Sequence, residues 1–183
     1  MLNNHKGKKG GVDMHTHHIH GLKSKSVNCL ILTISDTRVL ETDKSGQMIQ
    51  SLLEENHHTV KDRLVIQDEA EQINHHIKTG CHNPDIDVIL TNGGTGISRR
   101  DVTIETLKEF LDKELTGFGE LFRMLSYTED IGSSAMMSRA IAGVKGDTAI
   151  FSMPGSSGAV KLAMNKLILP ELSHVVHELT KDL

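Results

Sequence analysis

Gly93, Gly94, Thr95 and Gly96 follow the short apolar run Asp87 to Thr91, with Asn92 between, and stand ahead of a helical pattern. Glycines in such a turn let main-chain N–H groups approach a ligand closely, and a helix start offers partial positive charge to an anion. The loop continues Ile97-Ser98-Arg99-Arg100-Asp101-Val102-Thr103, where two arginines beside an aspartate suit a phosphate clamp, with Arg99 as its cation, and a metal ligand. A second turn, Pro154-Gly155-Ser156-Ser157, offers hydroxyls and N–H groups before another helical pattern. Ser35 and Asp36 end the first apolar run, and Asp68 follows a weaker one. Carboxylates gathered opposite two anion sites suit magnesium bridged to a polyphosphate, and two adjacent anion sites suit nucleotidyl or phosphoryl transfer. Each piece also has a plain structural reading. The glycines serve a tight turn, Asp101 caps a helix beside solvated arginines, and Pro154 to Ser157 is a simple turn.

Several chemistries are disfavoured. No G-x-x-x-x-G-K-[ST] loop occurs, and a dinucleotide fingerprint read from Gly94 would need its third glycine at Arg99. There is no G-x-S-x-G elbow, so Ser156 and Ser157 are poor covalent nucleophiles. Cys29 and Cys81 fit no metal or redox spacing. His57, His58, His75 and His76 fall on predicted helix surfaces or ends and are expected to be solvated. His174 and His177 lack further ligands and are expected at a surface or interface.

The elements that must carry these loops follow from periodicity. Val27 to Ile34 is a near-continuous β-branched apolar run, as expected for a strand covered on both faces. Helical spacing follows at 46–55, a weaker strand at 60–66, and a helix at 69–78 with Asp68 placed to cap it. The strand at 87–91 runs into the glycine turn, then helices are expected at 103–114, 118–127 and near 134–141. A strand at 148–153 and helices at 159–167 and 171–179 close the chain. This alternation predicts an α/β fold, an open and mostly parallel sheet with helices on both faces. Ligands in such sheets sit outside the carboxyl ends of the strands, where all the loops named above converge.

Composition narrows the partners. The 183 residues carry a net charge of -4, but residues 1–26 hold five Lys against Asp13 alone, which leaves -8 on the rest. An acidic body with four Phe, one Tyr and no Trp is not built to hold a nucleic-acid polymer. It can still hold small phosphates through N–H groups, helix ends, a metal and local cations such as Lys44, Arg99 and Lys161. No apolar run approaches the ~20 residues of a membrane span, and the first segment lacks a secretory h-region, so a cytoplasmic location is expected. Residues 1–25 read as a disordered His/Lys/Gly-rich arm ahead of one domain at 26–183. Its tract His15, His17, His18 and His20 is either a metal-capture site or a structureless tail.

The segments LTISDTR (32–38), ETDKSGQ (41–47), ILTNGGTGISRRDVT (89–103), GFGELFRMLSY (117–127) and SMPGSSGAVKLAMNKLILPEL (152–172) resemble the MoaB/Mog family of molybdenum cofactor biosynthesis proteins. That family includes molybdopterin adenylyltransferases and a domain of gephyrin. The resemblance runs from about Val27 to the end and lies nearest the B-type members. It implies a three-layer α/β/α sandwich, assembled as a homotrimer or homohexamer, that binds molybdopterin. Active members transfer adenylate from Mg-ATP to the pterin's terminal phosphate and release pyrophosphate. The resemblance places the two carboxylates needed for activity, as magnesium ligands, at Asp68 and Asp101. It places the pterin phosphate along Gly93 to Gly96, with Ser35, Asp36, Pro154, Gly155 and Ser156 nearby, and other proteins of the pathway as possible partners. Ile97, Ile104 and Gln67 stand where the dedicated adenylyltransferases commonly carry Pro. Two functions therefore remain open: an adenylyltransferase, or a non-catalytic molybdopterin carrier.

Overall fold

The computed structural model describes residues 25–182. The expected arm and its His tract lie outside them, save Lys25, whose carbonyl accepts from Ser173 Oγ at 3.1 Å. In chain order come β1 (Asn28–Ile34), α1 (Lys44–Glu55), β2 (Thr59–Ile66), α2 (Ala70–Cys81), β3 (Val88–Asn92), α3 (Thr103–Phe110) and β4 (Lys113–Glu114). There follow α4 (Thr116–Glu129), β5 (Ile141–Lys145), β6 (Thr148–Met153), α5 (Ser157–Ala163) and α6 (Leu169–Thr180). A wide π-turn at Met164–Ile168 joins the last two helices into one nearly continuous rod.

The strands form one six-stranded sheet in the order β2-β1-β3-β6-β5-β4. The first four are parallel, while β5 and β4 run antiparallel at one edge. Strand β1 shows why its apolar run is unbroken. Successive side chains point to opposite faces, and both faces are covered. Cys29 and Ile31 pack on one side with Ile49 and Leu53 of α1, Phe122 of α4, Val160 of α5 and Leu172 of α6. Leu30, Leu32 and Ile34 pack on the other with Ile73 and Ile77 of α2 and Leu107 of α3. The three-layer expectation holds, with the crossover direction reversing between β1 and β3.

Three local expectations are corrected. The stretch near 134–141 is not an α-helix: a 3-10 segment at Gly132–Met137 leads into β5. Strand β5 pairs with β6 across the two-residue turn Gly146-Asp147, a hairpin signal that local helical spacing obscured. Lys113 and Glu114 leave α3 to pair with β5 where Gly143 permits close approach, since a Cβ there would stand 2.4 Å from the Lys113 carbonyl. Finally, His58 is buried rather than solvated, and its Nδ1 accepts from the Val27 N–H at 3.3 Å.

Candidate functional site

The carboxyl ends of β1, β2, β3 and β6 bring the expected loops together at one edge. After β3 the chain turns through Gly93 (φ +96°) and Gly94 (φ +61°), a backbone that L side chains rarely adopt. Space forbids a side chain as well. A Cβ on Gly93 would stand 2.2 Å from the Ile34 carbonyl, and one on Gly94 would stand 2.2 Å from Thr103 Oγ1 and 2.7 Å from Asp68 Oδ2. The Gly93 N–H is spent on Met153 O and the Gly94 carbonyl accepts from the Thr103 N–H. Among the described residues, the N–H groups of Gly94 and Thr95 have no acceptor.

Two carboxylates flank this turn. Asp68 lies behind Gly94, 8% exposed, and accepts from the Val102 N–H at 3.3 Å instead of capping α2. Burial raises its pKa, the Val102 N–H works against that, and the nearby Asp101 and Asp36 raise it further. Asp101 lies beside Gly96 and accepts from the Ser98 N–H at 2.8 Å. Those Ser98 bonds, helped by the Gly96 N–H and Arg139, outweigh partial burial and hold its pKa below the usual carboxylate range. Asp101 does not cap α3, which begins behind Val102.

A cavity of about 400 Å³ opens on Gly93, Gly94, Thr95, Gly96 and Asp101, with Pro154 and Gly155 adjoining. Its far wall is Ile131, Ser134, Met137, Ser138 and Arg139, the last four from the 134–141 stretch expected to be helical. Asp101 therefore faces the cavity, whereas Asp68 stands behind the turn. Ser35 accepts from the N–H groups of Thr37 and Arg38, which turns the chain out of β1. Asp36 accepts from the Asp68 N–H at 3.1 Å and from Arg100 Nη2 at 2.8 Å. These contacts, Arg100 foremost, lower its pKa. Arg100, not Arg99, is the arginine drawn across the strand ends. Arg99 is exposed and has no ion-pair partner among the described residues. Ser156 caps α5 by accepting from the Ala159 N–H, and Ser157 is exposed in its first turn.

Two arginines outside the expected set hold the two turns. Arg139 donates through Nε to Thr95 O at 2.9 Å and through Nη2 to Gly96 O, and it is paired with Glu105. Arg38 donates to Ser45 Oγ at 2.6 Å and to Gly155 O at 3.2 Å. Behind Arg38, the fully buried Asp43 accepts from Thr33 Oγ1, Ser45 Oγ and the Gly46 N–H, and Asn92 Nδ2 donates to Thr33 Oγ1. Burial opposes ionisation of Asp43, but these donors and Arg63 prevail and its pKa is lowered. Arg38 stands in LTISDTR (32–38), just beyond the Ser35-Asp36 pair. No spacing in the sequence connects Arg139 to the glycine turn.

Hard oxygen donors beside a phosphate-sized opening suit magnesium, which is commonly held by one or two carboxylates plus substrate phosphates. The Asp101 and Asp36 carboxylates repel that of Asp68, a repulsion that a divalent cation would relieve. Among the described residues no group of three or more His, Cys, Asp or Glu side chains is arranged to hold a metal unaided. No described helix is long and apolar enough to cross a membrane.

Comparison with known proteins gives the arrangement its context. Residues 30–174 match the family model of the probable molybdopterin binding domain. Molybdenum cofactor biosynthesis protein B of Bacillus cereus is 62% identical over 158 residues, 86% of this chain and 94% of its own length. A crystal structure of a molybdenum cofactor biosynthesis protein B superposes with a TM-score of 0.86 at 60% identity, covering 87% of this chain and 99% of the other. The tungsten cofactor synthesizing protein MoaB of Pyrococcus furiosus superposes at 0.71 with 35% identity, over 84% and 97% of the two chains.

Proposed function

Because the chain belongs to the molybdopterin-binding domain family of molybdenum cofactor biosynthesis proteins, we propose that it binds molybdopterin and transfers AMP to it from Mg-ATP. The observation that carries this reading is the glycine turn itself. It has two uncommitted N–H groups, at Gly94 and Thr95, and a carboxylate at each end. N–H groups in such a nest hold a phosphate without a basic surface. An acidic protein can thus take anionic substrates.

The terminal phosphate of the pterin seats on the turn, and one of its oxygens attacks the α-phosphorus of ATP in line. That P–O bond forms as the bond from the α-phosphorus to the β-bridging oxygen breaks, and the electron pair leaves with pyrophosphate. The attacking phosphate is already ionised at neutral pH, so no strong general base is needed. Asp101, together with Asp68, would hold magnesium, which when bound supplies charge neutralisation of the ATP phosphates and the leaving group. The turn positions the nucleophile, and Pro154 and Gly155 with the 131–139 segment shape the remaining wall. Catalysis is then positioning and charge stabilisation.

The same reading carries assembly into a homotrimer or homohexamer. It is supported by the exposed apolar residues Leu121, Met124, Tyr127 and Met136, and light scattering tests it. For the activity, the chain is incubated with molybdopterin and Mg-ATP and the pterin is weighed by mass spectrometry. Gain of one adenylyl group with release of pyrophosphate is expected. Tight pterin binding without product would instead make the protein a carrier.

A further inference from the structure

The Arg139–Glu105 pair lies against the glycine turn but on its carbonyl side. The guanidinium reaches Thr95 O at 2.9 Å, Gly96 O, and Asp101 O at 3.4 Å, while Glu105 takes its remaining face. One planar fork thus binds both ends of the loop 95–101. Within the loop, the Ser98 N–H donates to Asp101 Oδ2 at 2.8 Å and the Asp101 N–H donates to Ser98 O at 3.1 Å.

A trans peptide aims its N–H opposite its carbonyl. Pinning Thr95 O therefore fixes the direction of the Gly96 N–H, and the Asp101 carboxylate lies beside Gly96, where an added Cβ would stand 2.6 Å from its Oδ2. The Asp101 main chain is drawn to the same guanidinium, so the side chain is set from both its root and its tip. Arg139 has few donors left over, and Glu105 balances its charge. It is thus poorly placed to act as a free phosphate clamp, although it borders the cavity. Lysine could not replace it, because a single ammonium cannot span three carbonyls with a fixed planar fork.

We propose that Arg139, balanced by Glu105, is a positioning residue that staples loop 95–101 and so holds the Asp101 carboxylate at the mouth of the cavity. The inference deepens the adenylyl-transfer reading and rests on it for its kinetic consequence, but the staple itself is open to test without any ligand.

The full chain is prepared as wild type, Arg139→Ala, Arg139→Lys, Asp101→Asn and the Arg139→Ala/Asp101→Asn double variant. Amide exchange is followed by NMR without ligand. In both Arg139 variants, the amides of Gly96, Ser98 and Asp101 should exchange roughly 10-fold or more faster, with the β1 and β3 amides unchanged. Turnover with molybdopterin and Mg-ATP should fall roughly 10- to 100-fold in Arg139→Lys. The double variant should be no slower than Asp101→Asn alone within about threefold, because the staple acts through Asp101. Millimolar guanidinium should partly restore Arg139→Ala. Unchanged exchange at the three amides, or losses that multiply in the double variant, would overturn the proposal. A wild type without turnover would sink the adenylyl-transfer reading alone, and the exchange rates would still decide the staple.

Discussion

The turn at Gly93 to Gly96 and the turn at Pro154 to Ser156 leave paired neighbouring strands at one edge of the sheet. Each has carbonyl oxygen held by an arginine from elsewhere in the chain, Arg139 in the first and Arg38 in the second. They differ in how they meet the cavity. The first keeps the Gly94 and Thr95 N–H groups without acceptors among the described residues. The second likewise keeps the N–H groups of Gly155, Ser156, Ser157 and Gly158 without acceptors among the described residues, while the Ser156 hydroxyl caps its own helix. The carboxylate of Asp130 also approaches that helix start, where a Cβ on Gly158 would stand 3.2 Å from Oδ2. The cavity, however, opens on Gly93 to Gly96 and not on Ser156 to Gly158. We therefore propose the glycine turn as the anion seat and the Pro-Gly-Ser turn as a wall.

The largest expected effect comes from Asp101, the carboxylate facing the cavity. Asp101→Asn should reduce adenylyl transfer by roughly 100-fold or more while leaving pterin binding within a few-fold, because the N–H groups that seat the phosphate remain. Steady-state turnover against a pterin titration measures the two separately. An equal loss in both would mean that Asp101 holds the turn rather than serving the reaction.

Gly94→Ala comes next. The added methyl must occupy φ +61° and displace Thr103 and Asp68, which should destabilise the fold by roughly 1–3 kcal/mol and weaken pterin binding at least tenfold. Denaturant melts and fluorescence titration read both. In the second turn, Ser156→Ala removes only a cap, so a stability loss of about 1 kcal/mol with unchanged affinity is expected. If Ser156→Ala weakened binding as much as Gly94→Ala, the contrast between the turns would be wrong.

These positions also show how much could be read in advance. Strand β1 was legible because both its faces are buried, so the apolar run has no polar gaps to confuse its period. The glycine turn and its carboxylates were legible as residue types. Their division of labour was not, since it depends on which groups face the cavity after folding. Asp68 looked like a cap for α2 because it precedes that helix, yet the N–H of Val102, 34 residues on, claims its oxygen. Arg99 and Arg100 are equivalent in sequence, and only the position of Asp36 after β1 distinguishes them. The stretch 134–141 does not form the helix its spacing suggests, and β5 (IAGVK) is hard to read in advance because it is short and rich in small side chains, so its strand state comes from pairing with β6. Arg139 travels with that stretch, and its role is purely tertiary.

The smallest effect concerns pH and lies at the opposite edge of the sheet. Burial, with a lesser push from His57, lowers the pKa of His58. Its folded pKa is thus below the unfolded value of about 6.5. The neutral ring's contribution is fully present above that value and is lost as pH falls through the folded pKa. Melting temperature should therefore drop modestly between pH 7 and pH 5, and His58→Gln should flatten that slope. Ligand affinity at the glycine turn should show no matching change attributable to His58.

The anion seat is addressed most directly by titrating the ¹⁵N-labelled full chain with magnesium pyrophosphate and following backbone amides. The Gly94 and Thr95 resonances should shift together and saturably, while Ser156, Ser157 and Gly158 stay within the general drift. Saturable shifts centred on Ser156 to Gly158, with Gly94 and Thr95 unmoved, would contradict it.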